Sequence, residues 1–181
     1  SLSAGFGITI QQGWVSLLQE RLNAQGYNYH VVNASISGDT SRGASARLDH
    51  TLADLKPTVT IIELGGNDGL RGISLDEMYK NLSSIINRLL DRGSRIVLVP
   101  IQIPPNLGQM YTTRFQEVYK NLAINHDVVT TRFILEGIAL NPELMQNDGL
   151  HPKAEAQLMM LDNIWSDLKK ILDKLQNGEN S

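Results

Sequence analysis

Thr58-Val59-Thr60-Ile61-Ile62-Glu63-Leu64-Gly65-Gly66-Asn67-Asp68-Gly69 is the stretch of the 181-residue chain that decides its fold class. Its first seven residues are rich in β-branched side chains, which suit a pleated surface, and the run stops at two glycines, so it reads as a strand handing over to a turn. Upstream, Ser41 to Leu55 sets Ala44, Leu48, Leu52 and Leu55 on one helical face, and the Lys56-Pro57 step ends it because the residue before proline avoids helical ψ. Downstream, Ser74-Leu75-Asp76-Glu77 has the form of a capping box and opens a helix that buries Met78, Leu82, Ile85, Ile86 and Leu89 until Gly93. Arg95 to Ile101 then reads as a buried strand. Strands alternating with helices of this length predict an α/β fold, a parallel sheet with helices on both faces.

The alternation extends to both ends. Gln11 to Ala24 carries Trp14, Leu17, Leu18 and Leu22 in one stripe, with Gly26 as a stop, and His30 to Ala34 is the first strand expected. Tyr111 to Asn125 is helical through Phe115, Val118, Tyr119 and Leu122, and Asp127 to Phe133 is the last strand. Asn141-Pro142 has the form of an N-cap and first helical position opening a short turn. The final helix is expected from Pro152 to about Leu175, with residues 176–181 as a flexible tail. Neither repeat nor linker interrupts the chain, and its length suits a single domain over residues 1–181.

The net charge is −3, and lysines and arginines are scattered, which excludes a nucleic-acid surface. The absence of cysteine excludes a disulfide framework, a thiolate metal site and a cysteine nucleophile. No apolar run is long enough for stable membrane insertion. His30, His50 and His126 lack metal-ligand spacing, so no metal is expected.

Four features carry chemistry. Asp148-Gly149-Leu150-His151-Pro152 sets a carboxylate three residues before an imidazole, the step by which one turn can supply both the base and the acid of a catalytic triad. Taken alone it also fits a helix cap. Ser1 opens Ser1-Leu2-Ser3-Ala4-Gly5, small residues suited to a nucleophile loop. In Asn33-Ala34-Ser35-Ile36-Ser37-Gly38-Asp39-Thr40, Gly38 sits where a strand hands over to a helix and its N–H could approach an oxyanion, although an ordinary turn glycine explains it as well. Asn67, framed by glycines, can aim its side-chain amide into the cleft at the carboxyl end of its strand, or simply serve a turn. The order of the four features argues for a serine hydrolase.

These residues resemble the SGNH (GDSL-like) hydrolases, and the likeness covers essentially the whole chain. The resemblance implies a three-layer α/β/α sandwich with a flavodoxin-like parallel sheet of strand order 2-1-3-4-5. It implies Ser1, Asp148 and His151 as catalytic residues, and Ser1 N–H, Gly38 N–H and the Asn67 side chain as the oxyanion hole. Asp68, Gly69, Leu70, Ile73, Pro105 and Leu107 would bind substrate. The activity implied is hydrolysis of acyl esters and thioesters (aryl esters, acyl-CoA-type thioesters and lysophospholipids) by a monomer without cofactor, periplasmic or secreted, with the cytoplasm still open. A carbohydrate acetylesterase is the alternative, against which the 6% aromatic content argues mildly, and a non-catalytic binding module on the same fold is a further one. The family's first block is Gly-Asp-Ser-Leu at the end of a central first strand, whereas this chain begins at the Ser. The first strand is missing, its neighbours would be left with unpaired backbone groups, and a longer, truncated chain is therefore expected. A processed N-terminus, with the Ser1 α-amine as base, is the second possibility.

Overall fold

The computed structural model describes residues 1–178, and its contacts gather into two compact units: Ser1–Gly38 with the chain from Arg132 onward, and Asp39–Thr131. Neither unit is continuous with a simple half of the sequence, because the chain leaves the first unit at Gly38 and returns at Arg132.

The unit Asp39–Thr131 carries helix α2 (Ser41–Thr51), strand β1 (Val59–Ile62), the short helix α3 (Gly66–Leu70), helix α4 (Leu75–Leu90), strand β2 (Arg95–Leu98), helix α5 (Gln109–His126) and strand β3 (Val129–Thr130). The strands form one parallel sheet in the order β1-β2-β3, with Val59 opposite Arg95 and Val97 opposite Val129. The α/β class and the parallel sheet are those the sequence predicts. Ladder bonds continue just past the strand ends, from Arg95 N–H to Thr58 C=O at 2.8 Å and from Val99 N–H to Ile62 C=O at 2.9 Å. β1 stops before Leu64 because that residue's carbonyl is taken by the buried Tyr119 hydroxyl at 2.8 Å and Gly65 then turns the chain at φ +115°. The core of this unit is built from Met78, Leu82, Ile86 and Leu89 of α4 and Phe115, Tyr119 and Leu122 of α5, packed with Ile62, Ile96 and Leu98 of the sheet. β2 is buried from Ile96 to its end at Leu98, and Val99 just past it is buried too, which is why the run reads as continuously apolar rather than alternating.

The first unit pairs α1 (Trp14–Ala24) with α6 (Gln157–Gln176). Trp14, Leu18 and Leu22 on α1 and Met160, Leu161, Ile164, Leu168 and Leu172 on α6 are its buried stripes. Gln157 Oε1 accepts the Trp14 backbone N–H at 3.0 Å, so a buried side chain completes the first turn of α1.

Four expectations need correction. Residues 30–34 form no strand. A strand exists only where a second one meets its donors and acceptors in register; here the Gln19 side-chain amide does so instead, accepting from Val31 N–H at 2.7 Å and donating to Tyr29 C=O at 2.9 Å. Ser74 caps α4 without a side-chain hydrogen bond, so the expected capping box is not made; the side-chain cap of this unit is at Thr40, whose Oγ1 accepts from Gly43 N–H at 3.2 Å and starts α2. The last helix does not begin at Pro152, which sits in an antiparallel bridge with Met145; a 3-10 turn at Ala154–Ala156 precedes α6. Gln176, expected in a frayed tail, is the last residue of α6, and Asn177 N–H bonds Asp173 C=O at 3.0 Å; the rest of that expectation, at residues 179–181, lies outside the described residues.

Gly69 is the tightest point of α3. A Cβ there would stand 2.6 Å from Ile103 Cγ2 and 2.8 Å from Phe115 Cε2, both buried. Gly69→Ala is therefore expected to destabilise the fold by about 1–3 kcal/mol through overpacking, read from chemical denaturation; an unchanged midpoint would show that α3 shifts freely.

Candidate active site

The segment after Ser1 folds into tight turns, with Phe6 N–H on Ser1 C=O at 3.3 Å and Gly5 and Gly7 both at positive φ, +70° and +75°. Asn33 Nδ2 holds it by donating to Ser3 C=O at 2.8 Å. Opposite it in the same unit lies the loop from Met145 to Pro152. Gln146 N–H donates to His151 C=O at 2.7 Å, and Gly149, at φ +66°, donates to Gln146 C=O at 2.9 Å. The loop is a hairpin closed on itself.

Within it the two Asp148 oxygens divide the work. Oδ1 accepts the backbone N–H groups of Leu150 at 2.9 Å and His151 at 3.0 Å; Oδ2 meets His151 Nδ1 at 2.7 Å. The far ring nitrogen, Nε2, is 2.8 Å from Ser1 Oγ. The bond from the His151 side chain, then those from the Leu150 and His151 backbone, hold the Asp148 carboxyl down at about 2. An ionised carboxylate only accepts, so Nδ1 carries the ring proton and Nε2 is left to accept from the Ser1 hydroxyl. Phe6 lays its ring against the imidazole, centroids 4.4 Å apart and planes inclined by 37°. The structure thus brings Ser1, Asp148 and His151 together. No helix begins at His151 or Pro152, since the first helical turn starts only at Ala154.

Gly38, at φ +81°, is where the chain first leaves this unit. The remaining predicted residues belong to the other unit. Asn67, Asp68, Gly69 and Leu70 are on α3, Ile73 follows it, and Pro105 and Leu107 bound a 3-10 turn. Asn67 Nδ2 donates to Asp39 C=O at 3.0 Å. Asp68, expected to meet substrate, is fully buried and turned inward: its oxygens accept from Ser41 N–H at 2.8 Å and Ser41 Oγ at 2.5 Å, and Asn81 Nδ2 donates to that same Oγ at 3.1 Å. That carboxylate anchors the start of α2 to α3, which a buried charge needs in place of water. Leu70 and Leu107 are exposed, and Tyr111 Oη lies 3.5 Å from the carbonyls of both Gly69 and Ile73. Sequence reasoning missed Phe6 and Gln146, which no local pattern separates from ordinary loop residues.

Comparison with known proteins agrees. Residues 1–158 match the model of the GDSL-like Lipase/Acylhydrolase family. The chain belongs to this family. It is 46% identical to Esterase TesA of Pseudomonas aeruginosa, covering 95% of this chain and 86% of that one. It is 36% identical to the thioesterase 1/protease 1/lysophospholipase L1 of Escherichia coli K12, covering 96% and 82%. The psychrotrophic esterase EstA from Pseudoalteromonas sp., solved inhibited by monoethylphosphonate, superposes with a TM-score of 0.91 at 38% identity, over 95% of this chain and 94% of that one. The chain is accordingly an SGNH-fold ester hydrolase. Among the described residues no helix is long and apolar enough to cross a membrane.

In this hydrolase Asp148 is depressed from 3.8 to about 2. A depressed acid contributes stability that is complete above its unfolded value and is lost as pH falls through its folded one. Thermal midpoints of the wild type should therefore drop more steeply between pH 4 and pH 2 than those of Asp148→Asn. The difference will be modest, since the Asp148 side chain is 38% exposed and solvent screens it; parallel curves would show that these hydrogen bonds do not favour the charged form.

Proposed function

We propose that Ser1 is the nucleophile, His151 the general base and Asp148 the group that orients the base and stabilises its charged form. The observation that carries this is the unbroken chain from Ser1 Oγ to His151 Nε2 at 2.8 Å and from His151 Nδ1 to Asp148 Oδ2 at 2.7 Å. Nε2 takes the hydroxyl proton as Oγ attacks the acyl carbon, and the imidazolium formed is stabilised by Asp148. It then returns the proton to the departing alkoxide or thiolate, leaving the acyl group on Ser1. Water, deprotonated by the same nitrogen, releases the acid. Inhibition of EstA by monoethylphosphonate is the behaviour expected of such a serine.

The developing oxyanion needs donors already in place. By the family motif we assign Ser1 N–H, Gly38 N–H and the Asn67 side chain, and we take both units as one hydrolase domain, a reading that the family match over residues 1–158 supports. Gly69, Leu70, Ile73, Pro105 and Leu107 are assigned to the acyl chain, Leu70 and Leu107 offering exposed apolar surface. The substrate range read from the relatives is acyl esters, thioesters and lysophospholipids; the protein acts as a monomer, in the periplasm or outside the cell.

Ser1→Ala and His151→Ala are each expected to lower kcat on p-nitrophenyl butyrate by about 10⁴- to 10⁶-fold, with the double variant hardly worse than either. Additive losses would mean that the two groups do not act as a unit. Asn67→Ala should lower kcat by about 10²- to 10³-fold with little change in KM, because the charge it binds exists only in the transition state. A loss of thermal stability with kcat intact would instead make Asn67 a turn residue that holds Asp39.

A further inference from the structure

The Gln146 side chain takes no part in the steps above, yet it joins the two segments that those steps need together. Nε2 donates to Phe6 C=O at 2.8 Å and to Pro152 C=O at 3.0 Å, while the Gln146 backbone N–H donates to His151 C=O. One residue therefore holds the His151 segment at two carbonyls and the Ser1 segment at a third. The geometry suits a primary amide, whose two hydrogens lie in one plane and point apart, so that a single nitrogen can bridge carbonyls from two chains. Room for it is made by Gly7: a Cβ there would stand 2.9 Å from both Cδ and Nε2 of Gln146 and closer still to Oε1. The carbonyl that Gln146 holds belongs to Phe6, whose ring lies on the imidazole. The amide thus controls both the approach of Ser1 to His151 and the face against which His151 rests.

We propose that Gln146 is a positioning residue, whose carboxamide staples the nucleophile segment to the acid–base segment and so sets the 2.8 Å contact between Ser1 Oγ and His151 Nε2. Proton transfer is sensitive to sub-ångström placement, and both partners here sit in turns rather than in helices or strands. A short tie across those turns replaces the rigidity that regular structure would give. The inference rests on the roles just proposed for Ser1 and His151.

Gln146→Met keeps the length and volume of the side chain and removes both donors. On p-nitrophenyl butyrate its kcat should fall about 10- to 100-fold, with KM within about twofold. Its reaction with diethyl p-nitrophenyl phosphate, in which Ser1 Oγ bonds phosphorus and p-nitrophenolate leaves, should slow by the same factor. Gly7→Ala pushes the carboxamide away from the other side and should act in the same direction, adding little to Gln146→Met in the double variant. A purely structural tie would lower the melting temperature and leave kcat per titrated site at the wild-type value, and that result would overturn the proposal. Should Gln146→Met not fold, Gly7→Ala decides: a kcat loss at constant KM supports the staple, and wild-type kcat removes it. Ser1→Ala run alongside separates the two levels. If Ser1→Ala retains activity, the nucleophile assignment fails and the staple falls with it; if Ser1→Ala is inactive while Gln146→Met is unimpaired, the staple alone is wrong.

Discussion

The site depends on one carboxylate that faces two ways. Asp148 Oδ1 gathers the N–H groups of Leu150 and His151, which fixes the path of the backbone, and Oδ2 takes the His151 ring proton, which fixes the tautomer. Neither bond alone would do. Without the backbone pair the loop could rotate the imidazole away from Ser1, and without the ring contact the proton could sit on Nε2, where it would block acceptance from the hydroxyl. Because both functions reside in one group, an acid at position 148 needs only three residues of chain to complete the base, which is why the Asp-x-x-His step is so short. Strong hydrogen bonds to the charged form, rather than burial beside a cation, hold the acid ionised, so the charge never has to leave water entirely.

The second unit uses a buried carboxylate in the opposite manner. Asp68 has no exposed surface and accepts from Ser41, itself held by Asn81, so its carboxyl group joins α2 to α3. Asn67, the residue before it, is thereby carried on a helix whose start is fixed by Gly65 and whose far side is packed by Gly69 against Ile103 and Phe115. Adjacent residues in the sequence divide into one that secures the helix and one whose amide donates to Asp39 C=O. The pairing of Asn with Asp in this motif has a mechanical sense: the acid turns in, and the amide is presented on a platform the acid makes rigid.

Much of this was legible in the sequence, and the division follows the range of the interactions. α4, α5, β1 and β2 are legible because their apolar rows repeat at helical or strand period and each element carries its own signal. Asp148 and His151 are legible because their bond is local. Residues 30–34 were misread because a ladder depends on a second strand, and no local pattern reveals that Gln19, eleven residues before His30, meets the backbone instead. Ser74 was misread because a box of the right letters still requires the serine hydroxyl to turn toward the helix, and it makes no such bond. The inward face of Asp68 and the bridging of Gln146 are contacts across 27 and 140 residues, outside the reach of any spacing rule.

The position of Phe6 bears on how one imidazole can serve two oxygens. In the reaction proposed above, Nε2 faces first Ser1 Oγ and then the leaving group. A ring clamped on both faces could not make the move; a ring left free would lose the alignment on which transfer depends. His151 is held at one nitrogen by Asp148 and supported on one face by Phe6 at 4.4 Å, with 17% of the side chain still exposed. An aromatic face offers van der Waals support without a directional partner, so the imidazole can slide across it at little cost while the Nδ1 bond acts as the pivot. An apolar support and a charged pivot therefore meet the two demands together.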